Sequence, residues 1–93
     1  MSEQRFDMHQ VLRVFAIVTQ YGVRDERGYV FEGLIAKGSE DGYTVEISDN
    51  AVTLSVYFHN TYDVQFETQE QLDQFQLKLK AVEEIDKERQ SVQ

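Results

Sequence analysis

The sequence contains no cysteine and no proline, and both absences narrow what the chain can do. Without cysteine there is no disulfide, no thiolate metal site and no cysteine nucleophile. Without proline, turns must be marked by glycine, Asp and Asn. No apolar run reaches the roughly 18 residues that span a bilayer. The first residues, MSEQRFD, lack the basic and apolar pattern of a signal peptide, so we expect a cytoplasmic location and no membrane partner.

Basic residues are missing from the middle of the chain. Residues 38–77 hold eight of the 17 acidic residues and none of the nine Lys and Arg residues. The eight acidic residues are Glu40, Asp41, Glu46, Asp49, Asp63, Glu67, Glu70 and Asp73. The other nine acidic residues balance the nine basic ones, so the whole net charge of −8 lies in this segment. Such a segment repels nucleic acid and anionic lipid, and it serves either solubility or the docking of a basic partner.

Two helices are predicted at the ends of a single domain that spans residues 1–93. Asp7 and Gln10 form a capping box before a helix from about Met8 to Tyr21, and Gly22 is predicted to end it in the left-handed conformation. Thr68 and Gln71 form a second capping box before a helix that ends near residue 86. Residues 1–6 and 87–93 are expected to fray.

Four strands are predicted between the helices: YVFEGLIA (29–36), YTVEIS (43–48), AVTLSVYF (51–58) and YDVQFE (62–67). The last three alternate apolar with polar residues, the pattern of an antiparallel sheet with one face in water. RDERG (24–28) is predicted as a loop. The expected fold is α+β: a four-stranded antiparallel meander in the order αββββα, with both helices on one face.

Two hairpin registers follow from matching apolar residues on one face. A two-residue turn at Asp49-Asn50 pairs Ile47 with Val52 and Val45 with Leu54. A loop with an odd number of residues, such as residues 59–61, pairs Phe58 with Tyr62 and Val56 with Val64. His59 and Asn60 are therefore interpreted first as the corner of a hairpin.

A candidate ligand site consists of His59, Asn60, Asp63 and Glu32, to which Glu46 adds a further carboxylate. His59 next to Asp63 has the composition of a general base with an orienting carboxylate, but no nucleophile has a recognisable setting nearby. Glu32 and Glu46 would hold a hard cation only if the first hairpin's register places them opposite each other. We therefore predict no metal site, no cofactor and no catalytic residue, and an enzyme is not favoured.

The stretch DGYTVEISDNAVTLSVYFHNTYDVQF, which follows the helix-like VLRVFAIVTQYG, resembles a family of short uncharacterised bacterial proteins of unknown function. The resemblance extends from about Val11 to Phe75 and depends on the segments 41–43, 52–54 and 58–60. It implies a small, cytoplasmic, self-standing bacterial domain, and it implies no activity, ligand or partner.

The preferred function is a non-enzymatic protein-interaction or regulatory module that acts as a homodimer. Apolar residues left outside the main stripes are the dimer candidates: Val30, Leu34, Ile17, Tyr21, Leu77 and Ile85. An acidic sheet face is the candidate surface for a basic protein partner, and its residues are Glu46, Asp63, Glu67 and Tyr57. The alternative is a domain that binds a small ligand or divalent cation, with or without hydrolysis, through His59, Asp63, Glu32 and Glu46.

Overall fold

A six-stranded antiparallel sheet lies between two helices in the chain order. The computed structural model describes residues 6–39, 42–57 and 61–91. The elements are α1 (Met8–Tyr21), β1 (Val23–Asp25), β2 (Gly28–Phe31), β3 (Leu34–Gly38), β4 (Thr44–Ser48), β5 (Thr53–Tyr57), β6 (Thr61–Gln65) and α2 (Gln69–Ser91). Each strand pairs with the next along the chain. The α+β class with flanking helices is confirmed, whereas the prediction of four strands is wrong.

The two additional strands come from the region before Gly38. The predicted strand 29–36 is a hairpin, because Glu32 and Gly33 both have positive φ (52° and 81°) and form a tight turn between β2 and β3. The predicted loop 24–28 overlaps the end of β1 and the turn into β2, where the Asp25 carboxylate accepts a hydrogen bond from the Arg27 backbone N–H at 2.8 Å. The first part of the sheet is therefore a three-stranded meander.

The two predicted registers are each shifted by two residues. Ile47 pairs with Leu54 instead of Val52, and Val45 pairs with Val56. Asp49 causes this shift, because its carboxylate accepts from the backbone N–H groups of both Ala51 and Val52 at 2.7 Å and so closes a longer connection than a two-residue turn.

Between β5 and β6, Val56 pairs with Tyr62 and Leu54 with Val64. The paired residues Tyr57 and Thr61 are separated by three residues, so the odd count is confirmed while the register is corrected. Residues 58–60, which include the predicted corner His59-Asn60, lie outside the described residues. A shift of two residues keeps every side chain on its face, so the predicted assignment of faces is unaffected.

The ends of the helices follow local hydrogen bonds. Asp7 caps α1 by accepting from the His9 N–H at 2.9 Å, but the Gln10 amide donates to Glu83 Oε1 at 3.0 Å and does not complete the predicted box. Gly22 is extended (φ −79°), not left-handed. A Cβ at Gly22 would lie 2.4 Å from the Val18 carbonyl oxygen and 2.8 Å from that of residue 30, so the glycine is needed for close approach.

The capping box of α2 is confirmed. The Gln71 N–H donates to Thr68 Oγ1 at 3.1 Å, and the Thr68 N–H donates to Gln71 Oε1 at 3.2 Å. The helix continues to Ser91, beyond the predicted end near Asp86. Neither helix in the described ranges has the length and apolarity needed to cross a bilayer.

Both helices cover the same face of the sheet and run in the same direction across its strands. At one end, the Phe6 ring beside α1 packs edge-on against Tyr62 of β6 at 5.6 Å between ring centroids. At the other end, Tyr21 packs on Phe31 of β2 at 5.8 Å, and the Arg89 guanidinium of α2 lies 4.6 Å from the Tyr21 ring centroid. The residues buried in this layer are Phe6, Val11, Val14, Ile17, Val18, Leu34, Ala36, Ile47, Val52, Leu54, Val56, Leu72, Phe75, Leu79 and Val82.

Candidate interaction surface

The face of the sheet opposite the helices, here called the open face, is built from the alternate residues of each strand. Because side chains alternate along a strand, the partners of a buried residue share its face and their neighbours point the other way. Two rows of directly paired residues cross the open face. The first row is Val23, Val30, Ile35, Ser48, Thr53 and Gln65. The second row includes Asp25 opposite Gly28, and then Lys37, Glu46, Ser55 and Asp63.

The open face has two halves of different chemistry. In the β1–β3 half, three β-branched apolar side chains stand side by side, and Val23 at the sheet edge is 74% exposed. We call these three residues, Val23, Val30 and Ile35, the apolar row. In the β4–β6 half, here called the acidic half, the charged side chains are Glu46 and Asp63, and no Lys or Arg occurs in the sequence from 38 to 77. The two halves therefore suit different partners.

Three of the four residues predicted for the acidic face lie in the acidic half. Glu46 and Asp63 flank Ser55, so they are two strand spacings, about 10 Å, apart. Tyr57 is on the same face and is 38% exposed. Glu67 lies in the turn before α2, where its N–H donates to Gln71 Oε1 at 3.0 Å, so it belongs to the helix cap and not to the strands of this face.

The residues predicted as a ligand site are not brought together among those that the structure describes. Glu32 is in the β2–β3 turn and Asp63 is on β6, which is three strand spacings, about 14 Å, from β3. Glu46 lies opposite Lys37 and Ser55, not opposite Glu32. His59 and Asn60 are outside the described residues. Within the described ranges, no three His, Asp or Glu side chains are grouped as metal ligands.

A shallow groove of about 450 Å³ does occur on the open face, with a different set of residues. Its lining consists of Lys37, Gly38, Ser39, Thr44, Glu46 and Ser55. Sequence reasoning missed the contribution of β3 because the predicted strand ended at Ala36, one residue before Lys37. The pair Glu32-Gly33 could have revealed this contribution. A turn at these two residues starts a new strand at Leu34, and that strand continues to Gly38.

Much of the apolar surplus that suggested a dimer is accounted for within one chain. Ile17 is 4% exposed and Leu34 is fully buried, so neither offers surface to a second subunit. Tyr21 packs on Phe31, and its hydroxyl donates to Asp86 Oδ1 at 3.0 Å, which raises the pKa of Tyr21 above its ordinary value.

The other three dimer candidates keep some surface in the single chain. Val30 is half-buried within the apolar row. Leu77 is 56% exposed on α2, and Ile85 is half-buried there. Of these three, only Val30 lies on the open face.

One acidic residue of the middle segment is already used inside the molecule. The Asp49 side chain is only 3% exposed, and its Oδ2 accepts from Lys78 Nζ of α2 at 3.0 Å. Burial opposes the ionisation of Asp49, but its hydrogen bonds from Ala51, Val52 and Lys78 outweigh burial and hold the pKa of Asp49 below its ordinary value. Asp49 therefore fixes the β4–β5 connection to α2 and is not available to a partner.

The fold and this surface define a small α+β domain in which one face of an antiparallel meander carries the helices and the other is open. Residues 6–92 match the model of a family described as "Protein of unknown function (DUF3081)", and the chain belongs to that family. The resemblance to a family of unknown function is thereby confirmed. No curated protein and no solved structure showed significant similarity to the chain.

Proposed function

We propose that this chain is a non-enzymatic protein-interaction module that docks a basic protein on the acidic half of its open face. The observation that carries the proposal is the separation of charge: Glu46 and Asp63 stand on strands that have no basic residue on either face. Tyr57, exposed beside them, adds an aromatic side chain of the type enriched at protein interfaces. Both helices of the described ranges pack on the other face, so a partner can reach the strands of this half directly.

Electrostatics favours a protein over a nucleic acid as the partner. Carboxylates repel phosphate, whereas a Lys- or Arg-rich surface would be attracted and oriented by the two carboxylates about 10 Å apart. Because both carboxylates are in contact with water, their main effect would be on the rate of association and on the choice of partner.

The proposal is tested by quantitative copurification from the native cell. The double variant Glu46→Gln/Asp63→Asn removes both charges and keeps the shape of the side chains. The matched control, Glu70→Gln/Glu84→Gln, removes two exposed charges from α2. We expect a basic protein to copurify with the parent and the control and to be lost from the open-face variant. Retention of every copurifying protein by the open-face variant at the parent level would overturn the proposal.

A second candidate function is the binding of a small polar ligand in the groove beside Glu46. The observation that favours it is the presence of opposite charges, Lys37 and Glu46, directly across from each other and next to the hydroxyls of Ser39, Thr44 and Ser55. The ammonium of Lys37 would oppose a divalent cation there, so a ligand with both charges, such as a free amino acid, fits better. Amide NMR titrations with Mg²⁺, Ca²⁺ and free amino acids test this; unchanged shifts near Glu46 would eliminate it.

A further inference from the structure

The β1–β3 half of the open face has an apolar surface on which neither α1 nor α2 packs. Val23 pairs with Val30, and Val30 pairs with Ile35, so the three side chains of the apolar row stand directly beside one another. Val23 is 74% exposed, because both helices pack on the opposite face of the sheet. A contiguous row of three apolar side chains facing water is a feature of interaction sites, whereas single exposed apolar residues are ordinary.

The charges next to this row are arranged symmetrically about β2. Asp25 of β1 lies opposite Gly28, and a Cβ placed on Gly28 would be 3.3 Å from Lys37 Cβ of β3. A negative charge therefore lies on one side of β2 and a positive charge on the other, at the same height along the strands. Gly28, between them, adds no side chain.

This arrangement is complementary to itself. A rotation of 180° about a line along β2 exchanges the places of β1 and β3 in a second copy stacked on the open face. Asp25 then faces the second copy's Lys37, and Lys37 faces its Asp25. In the adjacent row, Val23 faces the second copy's Ile35 and Val30 faces its own counterpart. Each contact occurs twice, as an isologous interface requires.

We propose that a second copy of this chain binds the β1–β3 half of the open face, with the two-fold axis along β2. The inference deepens the proposed interaction function but uses the other half of the face. With the axis at β2, the β4–β6 strands of each copy extend past the other copy's β1, so the acidic halves do not face each other and stay accessible. The homodimer and a basic partner therefore occupy different surfaces.

The strength of this contact follows from its size. An overlap of three strands and two rows is smaller than the roughly 1,600 Å² of a standard interface, so the dimer is reversible and depends on protein concentration. Asp25 already accepts a hydrogen bond from Arg27 Nη2 at 2.8 Å, and this bond keeps its carboxylate ionised and in place for a second cation. Lys37 supplies that cation from the second copy.

A charge-exchange experiment with purified protein tests the proposal by sedimentation velocity over a range of concentrations. The variants are Lys37→Asp and Asp25→Lys, each of which places like charges across the axis in its own homodimer. We expect each variant alone to dimerise at least about tenfold more weakly than the parent. In an equimolar mixture the opposite charges meet again, so a mixed dimer should form with an affinity close to that of the parent.

The matched control is Asp63→Lys, which makes the same change of charge in the same row of the open face but outside the overlap; it should dimerise like the parent. Asp25→Lys also removes the Arg27 contact, so amide spectra are recorded to check its hairpin, and Lys37→Asp leaves that contact intact.

A parent that is monomeric at all concentrations overturns the proposal. So does a Lys37→Asp variant that dimerises like the parent, or a mixture that does not associate. Because no other protein is present, these results do not depend on the basic partner of the acidic half.

Discussion

The two faces of the sheet are built from the same strands, but both helices pack on one face and leave the other in contact with water. On the covered face, Leu54 and Ile47 meet the two helices and have no contact with water. On the open face, the adjacent residue Ser55 and its neighbour Glu46 are only half-buried. Alternation along each strand thus separates two roles, because substitutions on one face act on folding and those on the other are free to act on recognition.

The largest expected difference between the faces is in the free energy of unfolding. Leu54→Ala removes a fully buried side chain from the covered face, and we expect a loss of about 2–5 kcal/mol. Ser55→Ala, the adjacent change on the open face, should stay within about 0.5 kcal/mol of the parent. Urea denaturation measures both, and equal losses would contradict the distinction between the faces.

Substitutions at two glycines compare a crowded position of the backbone with an open one. Gly22→Ala places a Cβ 2.4 Å from the Val18 carbonyl oxygen where α1 meets the sheet, and we expect it to destabilise by about 2–3 kcal/mol. At Gly38 an added Cβ has no atom of the described residues within 4 Å, apart from its chain neighbours, so Gly38→Ala should be neutral or stabilising by about 0.5 kcal/mol. Thermal unfolding should show the melting temperature falling for the first variant only.

Asp49 connects the sheet to α2 through a buried charge, so its contribution to the free energy of unfolding depends on pH. Because the pKa of Asp49 in the folded chain lies below the ordinary value of 3.8, its stabilisation is fully present above about pH 4 and is lost as the pH falls through the folded pKa. Asp49→Asn should lower the free energy of unfolding by about 2 kcal/mol at pH 7 and by less at pH 3, where the unfolded chain no longer keeps this carboxylate ionised. Asp63→Asn, on the open face, is the matched control and should have little effect at either pH.

The smallest of these effects is expected at the start of α2. Thr68→Ala removes the hydroxyl that accepts from the Gln71 N–H and should cost about 1 kcal/mol. Thr19→Ala is the control, since Thr19 is within α1 and its hydroxyl donates to the Ala16 carbonyl of the same helix instead of capping an end. Denaturation that shows the two variants to be equally stable would mean that the cap contributes nothing.

The features that could be predicted from sequence are those fixed by short-range patterns. The bounds of α1 and the capping box at Thr68 depend on residues within one turn, and both are confirmed. The assignment of strand faces for β4–β6 also survived, because each register error was an even number of residues. The helix that Thr68 caps, α2, was predicted too short, since its last turns are held by distant contacts such as that between Arg89 and Tyr21.

The predictions of strands and registers failed at two connections. One is a turn with an uncommon backbone conformation, and the other is lengthened by a side chain that bonds the backbone. Glu32 at positive φ is uncommon, so the run of apolar residues around Glu32-Gly33 was interpreted as one strand instead of two. Asp49 lengthened the β4–β5 connection by bonding two backbone N–H groups, which the turn preferences of Asp and Asn do not reveal. The apolar row was hidden for the first of these reasons, because its three members are neighbours only when β1, β2 and β3 are separate strands.

The contact between the two helices has a consequence for how the protein is made. Gln10 of α1 and Glu83 of α2 are bonded although they lie 73 positions apart. The hairpins of the meander depend on nearby contacts and can form early, but Leu72, Phe75, Leu79 and Val82 are the last core residues to be synthesised. At about 5–20 residues per second, translation from Gln65 to Ser91 takes roughly one to five seconds. During that interval only α1 can cover the sheet, so the apolar side chains that pack on α2 stay exposed to water.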